Sequence, residues 1–301
     1  MSRSENPLAL ITGVRGFTGR YLARALRDRG YDVVGLAHEP ATGEPDVVSC
    51  DLLDRARVRE VVTRIQPDVV VHLAAIAFVA HGDAEAIYRT NVVGTRNLLE
   101  ALADCDKVPR SVLLASSANV YGNASVDPID EAVPPCPAND YAVSKLAMEH
   151  MARLWTGRLP VVIVRPFNYT GVGQEAHFLL PKIVSHFRAG AREIELGNLD
   201  VARDFSDVRD VVDVYARLLE ASPAGEIFNV CSGEAVSLQQ VMELMAGIAG
   251  YEMRVRVNPA FVRENEVKRL RGSNAHLRDR IGEPKGIPLE DTLRWMYQAA
   301  E

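Results

Sequence analysis

Five short apolar runs recur along the first half of the chain: LALIT at 8–12, VVGL at 33–36, VVVHL at 69–73, VLLA at 112–115 and VVIV at 161–164. Runs this short, unbroken and rich in branched side chains suit strands covered on both faces, since a strand with one wet face would alternate. Between them lie helical patterns at 19–29, 53–65, 84–104 and 141–156. Strand, helix, strand repetition with short connections requires right-handed crossovers, so the pattern predicts an α/β fold with a doubly wound parallel sheet. After about residue 166 the alternation fades. Helical patterns at 178–188, 208–221 and 237–249 and one apolar strand at 227–231 then predict a smaller C-terminal α/β lobe built partly from returning chain.

The first strand runs into TGVRGFTG, residues 12–19, where Gly13, Gly16 and Gly19 follow G-x-x-G-x-x-G at the start of a helix. Glycine permits the tight turn and lets a pyrophosphate approach the helix N-terminus, where unpaired N–H groups and the helix dipole attract anions. Between a strand and a helix, the triplet points to a dinucleotide. An acid at the end of the second strand would accept from ribose hydroxyls and favour NAD, but the sequence there reads GLAHEP, with Ala37 and His38 in that place. Arg15 and His38 are placed to receive a ribose phosphate. NADP(H) is therefore preferred, and Glu39 keeps NAD(H) possible. Asp51 and Leu52 follow the next extended segment, where Asp51 is placed to meet the adenine and equally to cap the helix over 53–65.

Charge and composition act mainly by exclusion. A formal net charge of -6 and a pI near 5.7 argue against nucleic acid or an anionic membrane as partner. The chain has no run of about twenty apolar residues, and MSRSENPLALITG enters a strand without a signal-peptide profile, so a cytoplasmic protein is expected. Cys50, Cys105, Cys136 and Cys231 lie far apart with no C-x-x-C pair. They are expected to be reduced and mostly buried, with no metal site.

The segment NDYAVSKLAMEH, 139–150, sets Tyr141 and Lys145 four residues apart on one face of a predicted helix. Alone, the pair also fits a snorkelling lysine beside a half-buried tyrosine. Its neighbours narrow the choice. T-G-x-x-G-F-x-G, HLAA (72–75), NVVGTRNLLEA (91–101), SSANVYG (116–122), YAVSK (141–145) and RPFN (165–168) occur in the order and spacing of the extended short-chain dehydrogenase/reductases. The whole chain resembles that family, which acts largely on nucleotide-activated sugars. The resemblance implies an NAD(P)-binding Rossmann domain over 1–166, with returning segments at about 203–232, and a lobe over 167–301 that mainly holds the nucleotide sugar. It places Phe17, Leu73, Ala74 and Ala75 along the cofactor with the glycine loop. It casts Ser117, Tyr141 and Lys145 as the catalytic set. Free tyrosine titrates near pH ~10, so Tyr141 is expected to be loosened by the Lys145 ammonium, whose other donors hold the nicotinamide ribose. Ser117, the second serine of SSxxVYG, is assigned to the substrate carbonyl, and Ser116 to packing at the strand end.

Within the family, LGNLDVARDFSDVRDVV (196–212), FNVCSGE (228–234) and FVRENEVKRLRGS (261–273) resemble the GDP-mannose branch, and most of all its GDP-4-dehydro-6-deoxy-D-mannose reductases, which make GDP-D-rhamnose. Dehydratases of this branch need a glutamate two residues after the triad hydroxyl, where this chain has Asn119, which cannot serve as a base. GDP-fucose synthases carry a reactive cysteine after the paired serines, where this chain has Ala118 and Asn119. The remaining expectation is hydride transfer to C4 of a GDP-linked 4-keto-6-deoxy sugar, with a nucleotide-sugar 4-epimerase as the alternative.

By the same resemblance Asn168 donates to the diphosphate, Arg203 contacts the nucleotide, and Arg263 with Glu266 closes over ribose or base. Asn119 is assigned to the sugar through its amide. Lys182 joins the set although its segment departs from the family pattern, and His177 is read as a solvated or structural loop histidine rather than a second acid. Family members commonly pair through two helices, so a homodimer through 84–104 and 141–156 is expected.

Overall fold

The computed structural model describes residues 6–39, 43–77, 83–261 and 268–299. In chain order the first half comprises β1 (Leu8–Thr12), α1 (Phe17–Arg27), β2 (Asp32–Ala37), β3 (Val47–Ser49), α2 (Arg55–Ile65), β4 (Val69–His72), α3 (Ala84–Tyr88), α4 (Thr95–Ala103), β5 (Ser111–Ala115), α5 (Asp140–Arg153) and β6 (Val161–Pro166). These form a parallel sheet in the order β3-β2-β1-β4-β5-β6. The order reverses between β1 and β4, and in sheets of this kind ligands sit beyond the carboxyl ends of the strands at such a point.

Alternation along β1 divides the core. Ala9 and Ile11 pack with Leu22 and Leu26 of α1 on one side, and Leu10 packs with Val58 and Val62 of α2 on the other. The first face also takes α7 (Val208–Ala221), which follows β7 (Asn168–Thr170), α6 (Leu179–Arg188), β8 (Glu193–Leu196) and β9 (Ala202–Asp207). The chain then adds β10 (Ile227–Val230) beside β6 as the seventh parallel strand. It leaves again through β11 (Ala235–Ser237), α8 (Leu238–Ala249), β12 (Arg254–Val257), β13 (Arg269–Leu270), α9 (Ala275–Ile281) and α10 (Leu289–Gln298). A separate core of α6, α8 and α10, with Phe187, Val241 and Leu293 at its centre, supports the small sheets of this second part.

Two local expectations are corrected. The helix predicted over 84–104 is interrupted by a π-helical turn at Arg89–Gly94. There Asn91 turns its amide to the main chain of Ile76 at 2.9 and 3.2 Å and to Ser144 Oγ at 2.9 Å, and Gly94 faces Leu52 closely. The helix over 55–65 is capped by Asp54, which accepts from Arg57 N at 3.0 Å, whereas Asp51 accepts from Leu53 N at 2.9 Å in the preceding turn.

His72 closes β4. It is fully buried, with Nδ1 at 2.7 Å from Thr12 Oγ1 and Nε2 at 2.8 Å from Thr95 Oγ1, so it bolts β1 and α4 to the strand between them. Burial, and after it the Lys145 charge, push its imidazole down to about 3. The folded protein thus refuses a proton that the unfolded chain accepts near pH 6.5, and stability is lost as pH falls through that window. Between pH 6.5 and about 4, denaturant unfolding should show the parent losing up to about 1.4 kcal/mol per pH unit more than a His72→Asn variant. Parallel slopes in the two proteins would mean that His72 titrates normally in the fold.

Candidate active site

The glycine loop folds over the C-terminal ends of β1 and β4. Gly13 adopts φ +70°, and a Cβ there would lie 2.9 Å from Ala74 N. A Cβ on Gly19 would lie 2.3 Å from Gly13 O and 2.6 Å from Val14 O. Gly16 caps α1 with no side chain bonded to the first turn, so the helix N-terminus faces outward with its N–H groups available to an anion. A pyrophosphate fits this cradle, since side chains are excluded by the backbone itself.

Phe17 opens α1 and stacks on Tyr169, with centroids 6.1 Å apart. Thr18 Oγ1 meets the Tyr169 hydroxyl at 2.7 Å, tying the loop to β7. Leu73, Ala74 and Ala75 follow β4, and Ala74 N donates to Thr12 Oγ1 at 3.1 Å. Leu52 is buried beneath the π-helical turn. Arg15 lies among carboxylates, its Nη2 3.4 Å from Glu44 and its Nη1 3.9 Å from Glu39. His38 is exposed, and its Nδ1 lies 3.8 Å from Asp51.

Ser117 follows β5 and caps the 3-10 turn Ala118–Tyr121, accepting from Asn119 N at 3.2 Å. Asn139 caps α5, accepting from Ala142 N at 2.9 Å, which fixes the first turn where Tyr141 stands. The structure sets the Ser117 hydroxyl beside the Tyr141 phenol, near enough to lower its pKa. Lys145, almost fully buried, donates from Nζ to Ala115 O at 2.7 Å.

The expected loosening of the phenol is corrected here. Burial pushes Tyr141 up to about 12, with the nearby Ser117 hydroxyl lowering it and Tyr169 raising it. The lysine is itself pulled by burial down to about 8, against the opposing influence of Glu149. In a site this dry, desolvation of the phenolate outweighs attraction to an ammonium turned toward a carbonyl. Tyr141 is thus a neutral phenol, a group with a proton to give.

Beside these residues opens a cavity of about 540 Å³ lined on one side by Ala118, Asn119 and Asn139 and on the other by Arg203, Phe205 and Phe261. Asn168 and His177 also line it. Arg203 Nη1 donates to Ala202 O at 3.0 Å. His177 Nδ1 lies 3.0 Å from Glu175 and its ring packs on Phe178. Lys182 is not brought into the lining: its Nζ donates to Glu195 O at 2.8 Å and sits 4.6 Å from the Phe261 ring centroid. Arg263 and Glu266 lie outside the described residues.

Several groups that sequence reasoning missed surround the site. Phe261 is an exposed aromatic on the cavity wall. Asp204, fully buried, takes Ser232 N at 2.8 Å, Gly233 N at 3.0 Å and Gly272 N at 3.2 Å, tying β9 to the two segments that flank it. Ser116, expected only to pack, donates to Glu149 Oε1 at 2.5 Å. A carboxylate eight residues after the tyrosine, on the same helical face, was the available signal.

A nicotinamide-dinucleotide cradle joined to a serine, tyrosine and lysine on neighbouring elements defines a short-chain dehydrogenase/reductase of the extended type. The family described as NAD dependent epimerase/dehydratase matches residues 9–231. The chain belongs to that family and is an enzyme dependent on a nicotinamide cofactor. It is 36% identical over 295 residues to GDP-6-deoxy-D-mannose reductase of Pseudomonas aeruginosa, covering 94% of each chain. It is 35% identical over 274 residues to GDP-6-deoxy-D-talose 4-dehydrogenase of Aggregatibacter actinomycetemcomitans, covering 91% of this chain and 90% of that one. Among solved structures, RMD from Pseudomonas aeruginosa complexed with NADPH superposes with a TM-score of 0.85 at 33% identity, over 97% of this chain and 98% of that one. A protein from Burkholderia cenocepacia J2315, described provisionally as an epimerase, superposes with a TM-score of 0.93 at 52% identity, over 98% of each chain.

Because a methyl on Gly19 has only backbone to meet, Gly19→Ala should displace the loop rather than a side chain. Affinity for NADPH, read by quenching of protein fluorescence, should fall about tenfold or more, equivalent to about 1.4 kcal/mol. Parental affinity in a folded Gly19→Ala protein would remove the glycine loop from the cofactor site.

Proposed function

We propose that this protein reduces the C4 ketone of a GDP-linked 4-keto-6-deoxyhexose, preferring NADPH, and that GDP-4-dehydro-6-deoxy-D-mannose becomes GDP-D-rhamnose. The observation that carries the reading is the state of Tyr141. Burial keeps this phenol protonated at neutral pH, so Tyr141 retains the proton that the alkoxide formed by carbonyl reduction must take up. Among the described residues lining the cavity there is no carboxylate, and its one histidine is engaged with Glu175. Dehydration, which must move protons on carbon, finds no carboxylate base among those residues.

Bound along the glycine loop, the reduced nicotinamide supplies the hydride. Gly13, Gly16 and Gly19 let the pyrophosphate approach the N–H groups of the first turn of α1, Phe17, Leu52 and Leu73 to Ala75 line the dinucleotide, and Asp51 meets the adenine. Arg15 and His38 are the groups for a ribose phosphate, and the resemblance to a structure complexed with NADPH supports that preference. Ser117 holds the ketone oxygen, Tyr141 gives its proton to the developing alkoxide, and Lys145 fixes the nicotinamide ribose. Asn119 orients the sugar, while Asn168 and Arg203 take the diphosphate and nucleotide from the cavity wall. The GDP assignment is supported by two relatives named for GDP-6-deoxyhexoses.

Purified protein given GDP-4-keto-6-deoxymannose should consume NADPH one for one, with the product's C4 configuration read by NMR against GDP-D-rhamnose and GDP-6-deoxy-D-talose. Sugar interconversion without net NADPH loss would establish a 4-epimerase instead. Tyr141→Phe should lower kcat by about 100-fold or more. Turnover at the parental rate in that variant would show that Tyr141 is not the acid.

A further inference from the structure

Behind the reacting face of α5 lies a buried charge that carbonyl reduction does not itself use. Glu149 stands one helical turn beyond Lys145, and the two are 1% and 3% exposed. Its Oε1 accepts from Arg165 Nε at 2.9 Å and its Oε2 from Arg165 Nη2 at 2.6 Å, a fork-to-fork pair. Ser116, next to Ser117, adds its 2.5 Å bond to the same carboxylate. Arg165 Nη1 donates onward to the Tyr121 hydroxyl at 2.9 Å, which donates to Asn229 Oδ1 at 2.7 Å. The ends of β5, β6 and β10 are thereby tied to the helix that carries Tyr141 and Lys145.

We infer that Glu149 is a positioning residue for the active site: one buried anion, clamped by Arg165 and Ser116 and one helical turn from Lys145, holds the charge of the lysine in the dry interior. The inference rests on the assignment of Tyr141 and Lys145 made above. The groups around Lys145 come from four elements. On α5 they are the neutral Tyr141 phenol and Glu149; on β5, the Ala115 carbonyl; on β4, His72, which is uncharged; on β6, Arg165 beyond the carboxylate. Glu149 is the one anion among these. Without it two cations remain in a dry interior, and a guanidinium does not give up its proton. The lysine must then lose its own, and with it the positive donor expected at the nicotinamide ribose.

Only five lysines occur in the chain, at 107, 145, 182, 268 and 285, so Lys145 can be followed by carbon-13 NMR of lysine-labelled, cofactor-free protein. A Lys145→Met spectrum assigns the signal. In the parent it should titrate near 8. In Glu149→Gln it should titrate lower by about one unit or more, and the alkaline limb of the pH–rate profile should move with it. Glu149→Asp, which keeps the charge, should return both toward the parent. Where Glu149→Gln fails to fold because Arg165 is orphaned, Glu149→Leu with Arg165→Met removes both charges at similar volume. A purely structural network predicts the parental titration in that folded double variant; the inference predicts a lowered one. An unmoved Lys145 signal in either folded variant overturns it. Tyr141→Phe keeps the two readings apart: parental turnover there defeats the catalytic assignment, while the NMR shift reports on Glu149 regardless.

Discussion

The approach of the Gly13–Gly19 turn to the backbone after β4 is the constraint on which the rest of the site depends. With the would-be Cβ of Gly13 2.9 Å from Ala74 N and that of Gly19 2.3 Å from Gly13 O, the loop and helix α1 fit against the sheet only without side chains at these points. That fit sets the N-terminus of α1 at the reversal of strand order. Everything downstream is placed relative to it: Tyr169 reaches Thr18 and Phe17 from β7, and His72 locks the neighbouring strand between two threonines.

A second determinant is dryness. Parallel strands covered on both faces put Ser117, Tyr141 and Lys145 where charge is expensive, so the phenol stays neutral and the lysine is pulled toward neutrality. Sequence spacing treated the pair as an acid loosened by a cation. Burial reverses the sign for Tyr141, which keeps the phenol in its protonated form.

The sheet was legible because LALIT, VVVHL and VVIV leave a helix little chance, and the glycine triplet and Y-x-x-x-K carried the site. The lobe was not. Its strands read EIEL, ARDFSD and RVRV, short and charged, and they pair across long gaps, β7 with β9 and β8 with β12, which no local pattern announces. Helix α10 passed unnoticed although Thr292, Leu293 and Met296 bury one face at helical spacing. Arg165 and Glu149 appeared as letters in motifs, since their pairing joins a strand to a helix. Lys182 was assigned on its charge, and the fold gives its ammonium a carbonyl and an aromatic ring that no local pattern announces.

The seventh strand has a lasting consequence. The chain leaves the sheet after β6, builds part of the lobe, comes back to lay β10 against β6, and departs again. The lobe is therefore sewn through its neighbour rather than appended to it, and a single recombination breakpoint cannot exchange it whole. New sugar specificities on such a scaffold are more readily reached by point changes in cavity-facing loops than by swapping modules.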